Sequence, residues 1–176
     1  MRTGLVLAGL GAVTLAALAP APAEAETVTF TLTGSSLSLA EQPSVAMTGG
    51  GSTLAGSTIS GSLGTTTVTD NRGGIAGWTS TIAVTTPLSN GTTTIPAGNL
   101  SAYVPALGIA TTGVVTATSL ATSLLPLTLS ATPQTLTSAT LVVGNNSATF
   151  NPVLSVLLPS NATAGSYSGV ITQTVS

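Results

Sequence analysis

Apolar and polar residues alternate with a period of two in three separate stretches of the chain. Residues 27–32 read Thr-Val-Thr-Phe-Thr-Leu, with Val28, Phe30 and Leu32 on one face and Thr on the other. Leu37 and Leu39 continue the alternation after Gly34. Residues 78–85 set Trp78, Ser80, Ile82 and Val84 against Thr79, Thr81, Ala83 and Thr85. Residues 166–176 put Tyr167, Gly169, Ile171, Gln173 and Val175 on one side. Successive side chains of a strand point to opposite faces, so this period predicts half-buried strands. Phe30 and Phe150 are expected in the core, and Tyr167 in the core or at its rim.

Turn signals separate the runs: Gly49-Gly50-Gly51, Asp70 to Gly74, Asn90-Gly91, Pro96 to Asn99, Gly144-Asn145-Asn146 and Pro159 to Gly165. Gly and Asn supply the positive φ that tight turns need, and Pro removes a ladder donor. The nearest helical candidate is 110–125, but its Thr, Val and Gly113 disfavour a helix. The pattern in 105–140 does not fix strand register. No repeat of fixed length and no internal domain boundary is visible. The expectation is an all-β chain: a single β-sandwich, Ig-like or of Greek-key type, with many short Thr-rich strands.

Composition sharpens this picture. Thr and Ser fill 55 of the 176 positions, and only 3% of residues are charged, against about 25% in an ordinary soluble domain. Thr is β-branched and suits a pleated, half-solvated face. A disordered Thr-rich stalk shares the composition. It has no reason to alternate. The solvent faces are therefore expected to carry Thr where other domains carry charge.

The N-terminus has the three parts of a secretory signal peptide: a positive start at Met1-Arg2, an apolar run from Gly4 to Ala19, and small residues at Ala23-Glu24-Ala25. Residues 1–25 are expected to be cleaved. The apolar run is shorter than the roughly 20 residues of a spanning helix. The remaining 26–176 amount to about 151 residues, the size of one domain. No second membrane span is expected in them. The sequence closes at Ser176 without a hydrophobic tail or an L-P-x-T-G signal, so attachment to a surface is expected to be non-covalent or through a partner.

Much chemistry is excluded by residue type. The chain has no His, no Cys and no Lys. Structural zinc sites, disulfides, Schiff bases and Ser-His-Asp catalysis need these residues. Glycoside hydrolysis needs two facing carboxylates, and after cleavage only Glu26, Glu41 and Asp70 remain as acids. No cation cluster exists to neutralise a nucleic-acid backbone. A non-catalytic protein with no cofactor and no metal is expected.

Two blocks carry more than pattern. Residues 63–79 read Leu-Gly-Thr-Thr-Thr-Val-Thr-Asp-Asn-Arg-Gly-Gly-Ile-Ala-Gly-Trp-Thr, and the chain closes with Pro152, Leu154, Pro159 and Ala164-Gly165-Ser166-Tyr167 ahead of Ile171-Thr172. The first resembles the V-x-D-x-R-G…G-W block of the WxL family of Gram-positive surface domains. The second is similar to that family's closing hairpin, and residues 95–103 are similar to its middle. The first W-x-L slot here is Trp78-Thr79-Ser80 and the second is Gln173-Thr174-Val175. The resemblance implies a secreted β-rich domain held non-covalently on the cell wall, with peptidoglycan as ligand.

Candidate ligand-binding residues are Trp78, Asp70, Arg72, Tyr103 and Tyr167. Tyr103, between turn signals and Pro105, is expected to be exposed, and the other four also have a structural reading. Asp70 can cap turn amides and Arg72 can pair with a carboxylate, fixing the turn that delivers Trp78. Trp78 can anchor two sheets or stack on a sugar. Expected partners are cell-wall polysaccharide or a surface protein. The alternative is a structural subunit that self-assembles into a surface fibre or matrix layer, because uncharged strand edges pair readily. Thr-x-Thr triplets also suggest an ice-binding face, but the required repeat is missing.

Overall fold

The computed structural model describes residues 36–47 and 56–176. The predicted signal peptide, the 27–32 strand with Phe30, and the Gly49 to Gly51 turn lie outside the described residues. Within them the chain is all-β, with eleven strands, one 3-10 turn (Ala97–Asn99) and no α-helix. No helix among them is long and apolar enough to cross a membrane.

The strands are β1 (Leu37–Ala40), β2 (Thr58–Ser62), β3 (Thr66–Asp70), β4 (Trp78–Ser89), β5 (Thr94–Ile95), β6 (Leu100–Tyr103), β7 (Ile109–Ser119), β8 (Leu127–Thr128), β9 (Gln134–Phe150), β10 (Val153–Leu157) and β11 (Ser168–Val175). Seven form one antiparallel sheet in the order β1-β3-β9-β4-β11, with β5 on β4 and β7 on β9. The other four form a second sheet in the order β2-β10-β6-β8.

The alternation in 78–85 is realised in β4. Trp78, Ser80, Ile82 and Val84 are buried and Thr79, Thr81 and Thr85 are not, but Ala83, expected on the outer face, is buried as well. Ile171, Gln173 and Val175 likewise turn inward on β11. The two sheets share one core: Val68, Trp78, Ile82, Leu136 and Phe150 from the larger pack with Leu100, Leu154 and Val156 from the smaller. The Thr residues form cross-strand hydroxyl pairs, Thr81 with Thr174 at 2.7 Å, Thr85 with Thr172 at 3.0 Å and Thr67 with Thr149 at 3.2 Å. Such pairs contribute roughly 0.2–1 kcal/mol each and replace the charge pairs of ordinary sheets.

Two expectations are corrected. Gly144-Asn145-Asn146 is not a turn between strands but lies inside the 17-residue β9. From Thr112↔Ser147 to Val114↔Val143, β9 advances further than β7. The surplus residues are absorbed as a bulge, with Gly144 at φ 67°. Nor are all strands short. β4, β7 and β9 are long because bulges carry the chain through residues that read as breakers. Pro87 sits inside β4 where its register with β11 is irregular, so no regular ladder bond is lost there.

The bulged β9 also curls. Thr66 pairs with Phe150 and Ile82 with Gln134, positions sixteen residues apart on β9, or about 53 Å in a straight strand. Yet the Thr66 hydroxyl donates to Gln173 Oε1 at 3.3 Å, and Gln173 stands opposite Ile82. The large sheet therefore rolls until its two ends meet, and the small sheet packs against it.

Candidate functional site

β3 and β4 lie one after the other along the same edge of β9, and residues 71–77 bridge them. Three of the five candidate residues stand here: Arg72 on the bridge, Asp70 just before it and Trp78 just after it. Asp70 is 2% exposed. Its Oδ1 accepts from the Arg72 backbone N–H at 3.0 Å, the Asx turn that the Asp-Asn-Arg-Gly sequence suggests. Arg72 then folds back over the same carboxylate. Its Nε donates to Oδ1 and its Nη2 to Oδ2, both at 2.9 Å. Nη2 also donates to the carbonyls of Ala76 and Gly77 at 3.1 and 3.0 Å. One guanidinium thus ties the start of the bridge to its end.

The electrostatics follow from that geometry. The Arg72 hydrogen bond holds the Asp70 carboxyl below its ordinary value, against the opposing effect of burial. The same bond raises Arg72, so both groups are charged at neutral pH. The pair is committed to the bridge, which is the structural one of its two readings.

Trp78 follows the bridge and is 2% exposed. Its Nε1 donates to Asn146 Oδ1 at 3.4 Å, and Asn146 Nδ2 donates to the Gly144 carbonyl at 3.1 Å. The indole is a core anchor. Gly77 is required just before it, because a Cβ there would run into the Ala139 carbonyl. Asn146 was not among the sequence candidates. Its position in an apparent turn hid its role, although an Asn four residues before Phe150 on a strand is itself an unusual polar insertion.

The remaining candidates stand elsewhere. Tyr103 ends β6 opposite Val153 and is half-buried against the core, not exposed between turns. Tyr167 precedes β11. Its hydroxyl donates to the Thr163 carbonyl at 2.9 Å and accepts from the Thr163 N–H at 3.1 Å. A tyrosine that bonds back to the backbone a few residues upstream is a tyrosine corner. Tyr167 also borders an open groove of about 820 Å³, with Glu41, Met47, Leu88 and Gln173 among its walls. Gln173 Nε2 donates to Glu41 Oε2 there at 3.0 Å.

One surface feature has no counterpart among the candidates. The bridge presents Ile75 at 79% exposure. It is docked on β9 by the Gly144 N–H, which donates to the Gly74 carbonyl at 2.8 Å. Leu141 and Val143 of β9 are also exposed, and Val143 stands directly opposite the exposed Val114 of β7. Ile75 on the bridge, Leu141 and Val143 on β9 and Val114 on β7 are thus exposed aliphatic side chains on neighbouring elements. Among the described residues there is no group of three or more His, Cys, Asp or Glu side chains placed to hold a metal. The chain matches no protein-family model, no curated protein and no solved structure.

Proposed function

We propose that this chain is an exported, non-catalytic domain of the cell surface that docks non-covalently through the outer face of β7 and β9. The observation that carries the reading is a set of exposed aliphatic side chains on neighbouring elements: Ile75 on the bridge locked by Asp70 and Arg72, Leu141 and Val143 on β9, and Val114 on β7. Exposed apolar clusters on otherwise polar domains mark contact sites. A signal-peptide pattern at 1–25 and the WxL-like blocks support export and a Gram-positive wall location. The architecture we read as a single rolled β-sandwich of Ig-like or Greek-key type, supported by the Tyr167 corner.

Of the two partner classes, a surface protein fits better than wall polysaccharide. Sugar stacking needs an open aromatic face, whereas Trp78 is buried and Tyr103 and Tyr167 are partly buried against the core. The test is co-sedimentation with Gram-positive cell walls, intact and stripped of protein. Saturable binding to intact walls only, abolished by Leu141→Lys with Val143→Lys, is the expected result. Binding kept on stripped walls would make the partner polysaccharide. No binding to either by the folded protein would overturn the surface-docking reading.

A further inference from the structure

We infer that the outer edge of β7 is a homotypic interface, on which β7 of a second copy adds as an antiparallel strand; this rests on the docking-face reading above and names the partner. β7 pairs with β9 along one edge, and no described strand pairs with the other. Among the described residues that edge therefore carries a row of backbone donors and acceptors to which another strand can add. The usual protections are missing. The sequence Ile-Ala-Thr-Thr-Gly-Val-Val-Thr-Ala-Thr-Ser holds no Lys, no other charge and no Pro. Gly113 has φ 81° at one register shift with β9, and residues 114–119 continue the strand beyond it, with a second shift against β9 between Thr116 and Ala117.

Charge selects the occupant. The edge and the adjoining Val114, Leu141, Val143 and Ile75 are neutral, so a charged partner gains nothing here and loses hydration. A second copy offers the same neutral edge, and a net charge of −2 gives little repulsion between copies. Six residues span about 20 Å. A single edge of that length buries far less than the roughly 800 Å² per partner of a stable interface. The association is therefore weak and depends on concentration, as suits a surface layer where the protein is crowded.

The experiment is sedimentation velocity over a concentration series on the purified protein, with Thr116→Lys on the β7 edge and Thr58→Lys on β2 of the other sheet. Emission from the single buried Trp78 checks folding of each. The expected result is a mass that rises with concentration for wild type and Thr58→Lys, with association weakened at least about tenfold in Thr116→Lys, a factor equivalent to about 1.4 kcal/mol. Because the chain lacks Cys, single Cys variants at 115, 116 and 117 add a second readout. A cross-linked dimer from those positions, and none from Thr58→Cys, supports the antiparallel edge. Wild type that stays monomeric throughout overturns the inference, as does assembly undiminished in Thr116→Lys. A monomer that still binds intact walls overturns only the homotypic partner and leaves the docking reading standing.

Discussion

Arg72 spends four side-chain hydrogen bonds within six residues of sequence, two on Asp70 and one each on Ala76 and Gly77. Removing it leaves the nearly inaccessible Asp70 carboxylate with the backbone N–H of residue 72 and the Asn146 side chain, and no positive charge. Breaking a fully buried pair costs about 3–5 kcal/mol. The Arg72 side chain is 34% exposed, so Arg72→Ala is expected to cost less, about 2–3 kcal/mol. Chemical denaturation measures this, and Arg72→Lys should recover only part, since an ammonium cannot reproduce the planar fork. Tyr167→Phe tests the corner. It deletes both contacts with Thr163 while keeping the ring, and about 1–2 kcal/mol of lost stability is expected by the same measurement. A neutral result would show that the corner does not hold the 159–167 loop.

Strands are where sequence and fold agree in some places and part in others, and the reasons are local. The Trp78 to Thr85 alternation was legible because β4 has one face in the core and one in water. The Asp70 to Gly74 turn was legible because its chemistry is contained within five residues. β9 was not, because Gly144, Asn145 and Asn146 have the same preferences in a bulge as in a turn, and only the facing β7 decides between them. Asn146 and Ile75 escaped notice for the same reason: each depends on which distant strand lies alongside. The bulge makes a graded prediction. Gly113 and Gly144 both have positive φ, at 81° and 67°. A Cβ at Gly144 meets open space, whereas one at Gly113 comes to 2.6 Å from the Asn145 carbonyl. Gly144→Ala should cost about 1 kcal/mol from backbone strain alone. Gly113→Ala should cost about 2–4 kcal/mol, because a clash adds to the strain. Equal costs in thermal unfolding would mean that β7 and β9 yield at the bulge.

At the scale of the molecule, a rolled sheet with so few charges ties its acid response to very few groups. No His is present, so no side chain with an ordinary pKa near neutrality titrates between about pH 5 and 8. The Asp70 carboxyl is held low by Arg72 in the folded state. The unfolded chain returns it to the ordinary value of about 3.9, so below that value the unfolded state binds the extra proton and gains on the folded one. The stability that Asp70 contributes is thus complete above the unfolded value and is lost as pH falls through the lower folded one. The melting temperature should stay level from about pH 8 to 5 and drop below about pH 4. Arg72→Ala removes the cause of the shift, so its melting temperature should start lower and fall less steeply with acid. If wild type and Arg72→Ala lose stability along parallel acid limbs, the bridge is not the acid-sensitive element, and the clamp holds the aliphatic face without tuning the fold to pH.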